Sequence, residues 1–391
     1  MSRNAPRINK ILLLLTCLWA THSYAAGNAD SSPQTRAIDA IVQPLQQKYA
    51  LPGVAVAVTV DGKQSFYNYG VMSKATDEAV TPQTLFEIGS FSKTFTATLA
   101  CYAEVDGKLS LSDNASKYLP ALRGSPIDHV SLLNLGTHTS GLPLFVPDSI
   151  TNNDQLMAYF RAWKPEHPIG SYRIYSNLGI GMLGMAAAAS LNQPFDDAIE
   201  KRLLPELGMT HSYINVPANE MKRYAQGYTK TDAPVRVNPG MLSSEAYGLK
   251  SSTSDLIRFL DANMQVVPVN NKLQRAIACT HTGYYKVGKF VQDMVWEEYP
   301  YPMALDTLVE SNSPDAIFKG SPATAITPPL QPQQAYLLGK TGSTNGFSTY
   351  AAFVPGKKIG VVILANKSYP LDARVTAAYE ILNSLDAGSK P

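Results

Sequence analysis

Ser90-Phe91-Ser92-Lys93 is the single S-x-x-K of this chain, and Lys340-Thr341-Gly342 stands near its C-terminus. Residues i and i+3 share one face of a helix, so an S-x-x-K that opens a helix stands the Lys93 ammonium beside the Ser90 hydroxyl. A lysine in that place activates an otherwise weak nucleophile, and the chemistry it points to is acyl transfer through a serine. Ser90 follows Phe86-Glu87-Ile88-Gly89 and precedes Lys93 to Ala97, which reads as a loop ending in Gly and a helix starting at the serine. The helix end adds free N–H groups and a positive dipole end, both useful to an alkoxide or an oxyanion. A serine N-cap with a solvated lysine one turn on would spell the same four letters, so order and company carry the argument.

The Lys340-Thr341-Gly342 tripeptide precedes Ser343 to Phe347 and a hydrophobic run, which places it on or near a sheet edge. Lys340 and Thr341 suit a substrate carboxylate, and Gly342 permits close backbone approach by a ligand. The N–H groups of Ser90 and Ser343 can together form an oxyanion hole. Two Y-x-N triplets lie between these motifs. Tyr175-Ser176-Asn177 opens the small-residue helix 178–189 after a polar, Gly-containing segment, a placement that turns side chains into a cleft. Tyr213-Ile214-Asn215 sits in an alternating stretch ended by Pro217 and reads as structure.

Other motifs carry less. Ser112-Asp113-Asn114 lies just past the Ser90 helix and reads as a turn and cap. Gly179, Gly181 and Gly184 spell G-x-G-x-x-G, yet they follow Ser-Asn and not an apolar strand, so close helix packing accounts for them better than dinucleotide binding. Histidines 129, 138, 167, 211 and 281 form no H-E-x-x-H and no close pair, which argues against a metal site. No G-x-S-x-G occurs, which disfavours an α/β-hydrolase elbow.

The elements that must position these residues follow from pattern. Residues 54–60 are small and branched, Asp61-Gly62 is a type I′ turn signal, and residues 64–71 alternate, giving a hairpin. Apolar spacing over 34–49 predicts a helix before it. Residues 349–354, the Pro355-Gly356 turn, residues 359–365 and a helix over 373–385 repeat the same alphabet at the other end. Between them 94–105, 131–135, 153–163, 179–189 and 195–204 read as helices, while 233–240 and 311–332 read as long loops or extensions. The expected fold is α/β of the α+β kind: a mixed, mainly antiparallel sheet flanked by helices. A mostly helical domain, 88–225, interrupts a discontinuous sheet domain of 26–87 and 226–391, with the active site in the cleft between them.

The 391 residues are 45% hydrophobic and 16% charged, which suits a globular chain with ample core. Arg3, Arg7 and Lys10, the apolar run through Leu15 to Trp19, and Ser23-Tyr24-Ala25 read as a secretory signal cut after residue 25. Its apolar core is short of the ~20 residues of a membrane span, and Thr16 and Trp19 make Cys17 a poor lipidation site. Removing the signal moves the formal balance from +2 to −1, since three cations and no acid leave with it. No basic cluster with interleaved aromatics remains to suggest nucleic acid. Cys101 and Cys279 are too few for a disulfide-built scaffold, and their pairing is open from sequence.

With these motifs in order, the chain resembles the class C β-lactamases, periplasmic serine cephalosporinases. The carrying stretches are Gly89-Ser90-Phe91-Ser92-Lys93-Thr94-Phe95, Tyr175-Ser176-Asn177, 239–248 with Glu245-Ala246-Tyr247-Gly248, Lys340-Thr341-Gly342, and Leu364 to Pro370. The resemblance implies that Ser90 attacks a lactam carbonyl, that Lys93 helps to deprotonate it, and that Tyr175 carries protons to the leaving nitrogen and later assists the hydrolytic water. It implies Asn177 at the acyl side-chain amide, Lys340, Thr341, Gly342 and Arg374 on the carboxylate side, Tyr247 as a wall, and Ser90 and Ser343 as oxyanion donors. It implies no cofactor, no metal, a small-molecule β-lactam as partner, no membrane once the signal is gone, and a monomer. The deacylating glutamate arrangement E-x-x-x-N of class A enzymes is absent. Phe145 stands where the family often has Gln near the substrate side chain, Leu371 where it often has Asn, and Gly339 where a larger polar residue is common. Those departures bear on substrate range rather than on the reaction.

Overall fold

Small and β-branched residues make Gly53–Val60 a strand buried on both faces, and the turn after it returns the chain as Lys63–Gly70. Asp61 and Gly62 both take positive φ, 50° and 79°, the backbone that a two-residue turn of this kind requires. The computed structural model describes residues 32–388 together with Met1. The export-signal reading of residues 1–25 therefore lies outside the described residues.

Among the described residues the main sheet has ten strands, antiparallel at every pairing. Lys63–Gly70 is one edge. Gly53–Val60, Ile359–Ala365, Ser348–Val354, Tyr336–Ser343, Glu297–Pro300, Phe290–Gln292, Gly283–Val287 and Ser321–Leu330 follow in order, and Tyr172–Arg173 closes the other edge. The two ends of the chain meet in this sheet, Val54 opposite Ala365 and Val60 opposite Ile359.

The period-2 alternation of strands divides the core in two. Val54, Val56, Val58, Val361 and Ile363 face the terminal helices Pro33–Lys48 and Leu371–Gly388, which bury Ile38, Val42, Val375 and Ile381 against them. Ala55, Ala57, Val362 and Leu364 face the larger cluster, which contains Phe91, Phe259 and Trp296. On that second face lie the helices Ser92–Val105, Asn177–Ser190, Thr253–Asn263 and Asn271–Thr280. The fold is thus a large antiparallel sheet with helices on both faces. No helix among the described residues is long and apolar enough to cross a membrane.

Local sequence accounts for several boundaries. Ser131 caps Leu132–Gly136 through a reciprocal pair with Asn134, and Asn152 caps Asn153–Ala162. The helix expected over 195–204 runs on to Leu207 with a π turn at Ile199–Leu203. Gly181 and Gly184 serve packing: a Cβ there would sit 2.5 Å from Leu242 and 2.6 Å from Glu245.

Three expectations need correction or completion. Residues 311–332 are not a long loop. They hold a short helix, Pro314–Phe318, and the ten-residue strand Ser321–Leu330. Its prolines 322, 328 and 329 hid it, because proline weakens a strand reading, yet a mostly exposed strand next to the sheet edge tolerates them. The helix-rich middle of the chain also supplies an edge strand, since Tyr172 and Arg173 pair with Pro322 and Ser321. Cys101 and Cys279 form a disulfide that joins Ser92–Val105 to Asn271–Thr280.

Candidate active site

Ser90 lies in a 3₁₀ turn, Gly89–Phe91, that runs straight into the helix Ser92–Val105. The turn is pressed against the end of the Lys340 strand, and glycine makes this possible on both sides. Gly89 has φ +53°, and a Cβ on it would lie 2.5 Å from the Ser343 nitrogen. A Cβ on Gly342 would lie 1.9 Å from the Ile88 carbonyl oxygen. Larger residues at either place would force the nucleophile turn and the strand apart.

The Lys93 ammonium donates to Ser90 Oγ at 2.9 Å and to the Ala246 carbonyl at 2.7 Å. It is fully buried, whereas Ser90 is half-exposed. Tyr175 stands across from it, with its ring centroid 5.1 Å from Lys93 Nζ and 5.0 Å from Lys340 Nζ. The Tyr175 hydroxyl is buried, faces Ser90 and Lys340, and makes no well-formed hydrogen bond. A buried hydroxyl beside a serine and two amines is a group placed for proton transfer.

Electrostatics sharpen that reading. Burial lowers the Lys93 pKa to about 8, and the Lys340 charge adds to the fall while Tyr175 opposes it. For Tyr175 burial acts upward, but the ammonium groups of Lys340 and Lys93 outweigh it and bring the phenol down to about 8. Amine and phenol are therefore matched near neutral pH, the condition under which a proton moves between them at little cost.

The remaining residues surround this centre. Asn177 opens the helix capped by Ser176; its N–H donates to the Leu144 carbonyl at 3.0 Å, and its side-chain oxygen has no partner. Phe145, next to Leu144, is 64% exposed. Tyr247 follows Ala246, the residue whose carbonyl holds Lys93. Lys340 is buried and donates to the Thr341 carbonyl at 2.9 Å, and Thr341 is nearly buried. Ser343, the last residue of the strand, is exposed.

Arg374, which the resemblance puts on the carboxylate side, lies beside the end of the Lys340 strand. It is buried, donating to the Gly342 carbonyl at 2.8 Å, Ser343 Oγ at 2.9 Å and the Tyr369 carbonyl at 2.6 Å. It braces the Lys340 strand from within the protein. Leu371 opens the C-terminal helix that carries it.

The other motifs lie apart from this centre. Asp113 accepts from the Ser110 N–H, Lys117 and Tyr118 beside a shallow hollow of about 590 Å³ that Ser112 and Asn114 also line. Tyr213 pairs with Lys250 in a small three-stranded sheet, and Asn215 donates to Asp196. Sequence reasoning passed over Arg173, which pairs with Glu297 at 2.8 Å, donates to Gln292, and sits 5.5 Å from the Tyr175 ring. It also left His138 unassigned. Arg173 is two residues from Tyr175, the one signal that could have singled it out.

Comparison with known proteins agrees with this geometry. The family model described as Beta-lactamase matches residues 38–386. A β-lactamase from Providencia stuartii is 51% identical over 349 residues, covering 89% of this chain and 91% of that one. A solved class C β-lactamase in complex with cefoxitin is 55% identical with a TM-score of 0.88, covering 90% of this chain and 98% of that one. A D-alanine carboxypeptidase from Burkholderia cenocepacia is 51% identical with a TM-score of 0.86, covering 90% and 99%. By sequence and by architecture this chain belongs to the β-lactamase family and is similar throughout to its class C enzymes.

Proposed function

We propose that this protein hydrolyses the β-lactam ring of cephalosporins and penicillins through an acyl-serine intermediate and thereby confers antibiotic resistance. The observation that carries the reading is the 2.9 Å contact from Lys93 Nζ to Ser90 Oγ beside the buried Tyr175 hydroxyl. In the first step Ser90 Oγ bonds to the lactam carbonyl carbon while its proton passes to the member of the Lys93–Tyr175 pair that is deprotonated, a neutral amine or a phenolate. The oxyanion is held by the N–H groups of Ser90 and Ser343. The C–N bond then breaks, and Tyr175 delivers the proton to the leaving nitrogen. Water, assisted by Tyr175, attacks the acyl carbon and releases Ser90.

Asn177 binds the acyl side-chain amide, Lys340, Thr341 and Gly342 take the carboxylate side, and Tyr247 and Phe145 wall the pocket. Arg374 joins Lys340 and Thr341 on the carboxylate side, next to Gly342 and Ser343. Neither a metal nor an organic cofactor enters the reaction. The site lies between a sheet unit of 26–87 and 226–391 and a helical unit of 88–225. Residues 1–25 direct the chain to the periplasm, a reading that the Cys101–Cys279 disulfide supports, since such bonds persist in oxidising compartments. There it acts as a monomer.

Purified protein should open a chromogenic cephalosporin, and Ser90→Ala should lose that activity. An intact cephalosporin, or full activity in Ser90→Ala, refutes the reading. The similarity to a D-alanine carboxypeptidase supports a second reading, a D-Ala-D-Ala peptidase or esterase on the same scaffold. A peptide or nitrophenyl ester cleaved faster than every β-lactam would favour it. A receptor that acylates without turnover would keep the adduct mass after a short β-lactam pulse, whereas the hydrolase returns to its free mass.

A further inference from the structure

Tyr175 is held from both sides by one residue. The backbone carbonyl of His138 accepts the Ile174 N–H at 2.8 Å, and its ring Nδ1 accepts the Ser176 N–H at 3.2 Å. The imidazole itself leans on the phenol, with ring centroids 4.4 Å apart and planes tilted by 42°. The neighbours of Tyr175 in the chain, and its ring, thus all rest on His138.

This clamp has a defined protonation state. Because Nδ1 accepts, a neutral ring must carry its proton on Nε2, and an imidazolium, with protons on both nitrogens, could not accept from Ser176. Burial first, then the charges of Arg173, Lys93 and Lys340, hold the His138 pKa well below the usual value. The groups that face it are Tyr175, those three cations and, through Arg173, the Glu297 carboxylate.

The residue also bears costs that packing alone does not explain. Its backbone is left-handed, φ 59°, and its Nε2 is buried with no hydrogen-bond partner. Glycine would fill that backbone position with less strain. Unfavourable local geometry of this kind persists at sites where it serves a function.

We propose that His138 is a positioning residue that fixes the Tyr175 phenol against Ser90 for proton transfer. The proposal rests on the hydrolase reading above. It is tested by a double-mutant cycle with Tyr175→Phe, read as the acylation rate on a chromogenic cephalosporin. His138→Gly keeps the left-handed backbone and removes both the ring and its acceptor. The expected loss is tenfold or more, since displacements of about an ångström can cost up to about a hundredfold. In the Tyr175→Phe background the same change should cost less than twofold.

His138→Asn also favours the left-handed backbone, lacks the supporting ring, and should show the same non-additivity, so a poorly folding glycine variant does not end the test. An equal fractional loss in both backgrounds means a general structural role and overturns the proposal. So does an undiminished rate in a folded His138→Gly. Wild-type protein that leaves every β-lactam intact refutes the hydrolase reading and this one together. An active wild type with additive variants refutes this one alone.

Discussion

At the scale of the residue, the site works through two groups brought to the same pKa by opposite routes. Lys93 descends because it is buried, and Tyr175 descends because two ammonium groups outweigh its burial. Groups this close titrate as a pair, not one by one. Lys93→Ala and Tyr175→Phe should each slow acylation by a factor of about 100 or more, and the double variant should lose far less than the product of the two. Rapid-mixing acylation rates decide the matter, and simple multiplication counts against a joint role. The Tyr175 charge holds the Lys93 pKa up, so Tyr175→Phe should move the Lys93 titration below about 8. Lysine side-chain NMR reads this directly, and an upward shift contradicts the electrostatic account.

At the scale of the element, the nucleophile turn and the Lys340 strand touch because neither carries a Cβ at the contact. Gly342→Ala should therefore lower both acylation and stability, the latter by about 1–3 kcal/mol as in other overpacked sites. Acylation kinetics with thermal melts measure both, and a fully active, equally stable variant would show that the strand has slack. A second element-scale feature is the turn joining Phe290–Gln292 to Glu297–Pro300. Asp293 in this turn and Glu298 in the strand after it are buried, with both Asp293 carboxylate oxygens and one of Glu298 lacking partners. Burial pushes both carboxyls up, Glu298 to about 7. The folded protein thus holds protons that the unfolded chain releases between about pH 4 and 7. The stability these acids contribute is present below the unfolded value and is lost as pH rises through about 7. Glu298→Gln should raise the melting temperature by a few degrees at pH 8 and by less at pH 5. An equal gain at both pH values would place the effect in packing and not in ionisation.

At the scale of the whole molecule, the chain closes on itself twice. The first strands pair with the last in one sheet, and the Cys101–Cys279 disulfide ties the nucleophile-bearing helix to Asn271–Thr280 across a separation of 178 residues. A loop of that length loses about 5 kcal/mol of unfolded-state entropy when cross-linked, an upper figure because strain and residual structure reduce it. Cys279→Ser should lower stability by about 2–5 kcal/mol. Urea midpoints with and without reductant read the effect, with reduced wild type falling to the level of the variant. A wild type indifferent to reductant in its unfolding midpoint would mean that the cross-link adds nothing.

Much of this was legible without coordinates, for local reasons. The hairpin at 53–70 follows from alternation and from two residues that accept positive φ, and Ser90 and Lys93 are neighbours by helical spacing alone. The prolines of 321–330 concealed a strand because their tolerance depends on what lies beside them in the sheet. The nature of the chemistry was likewise written in residue types: a serine with a lysine one turn on, a tyrosine–asparagine pair, and a lysine strand. What the sequence by itself could not determine is how close these parts come and in what state of charge they meet. The 2.9 Å contact, the shared pKa near 8, the disulfide, the inward setting of Arg374 and the grip of His138 on Tyr175 all arise between residues far apart in the chain. Burial and Coulomb interaction depend on distance in space, and only the packed tertiary structure sets that distance.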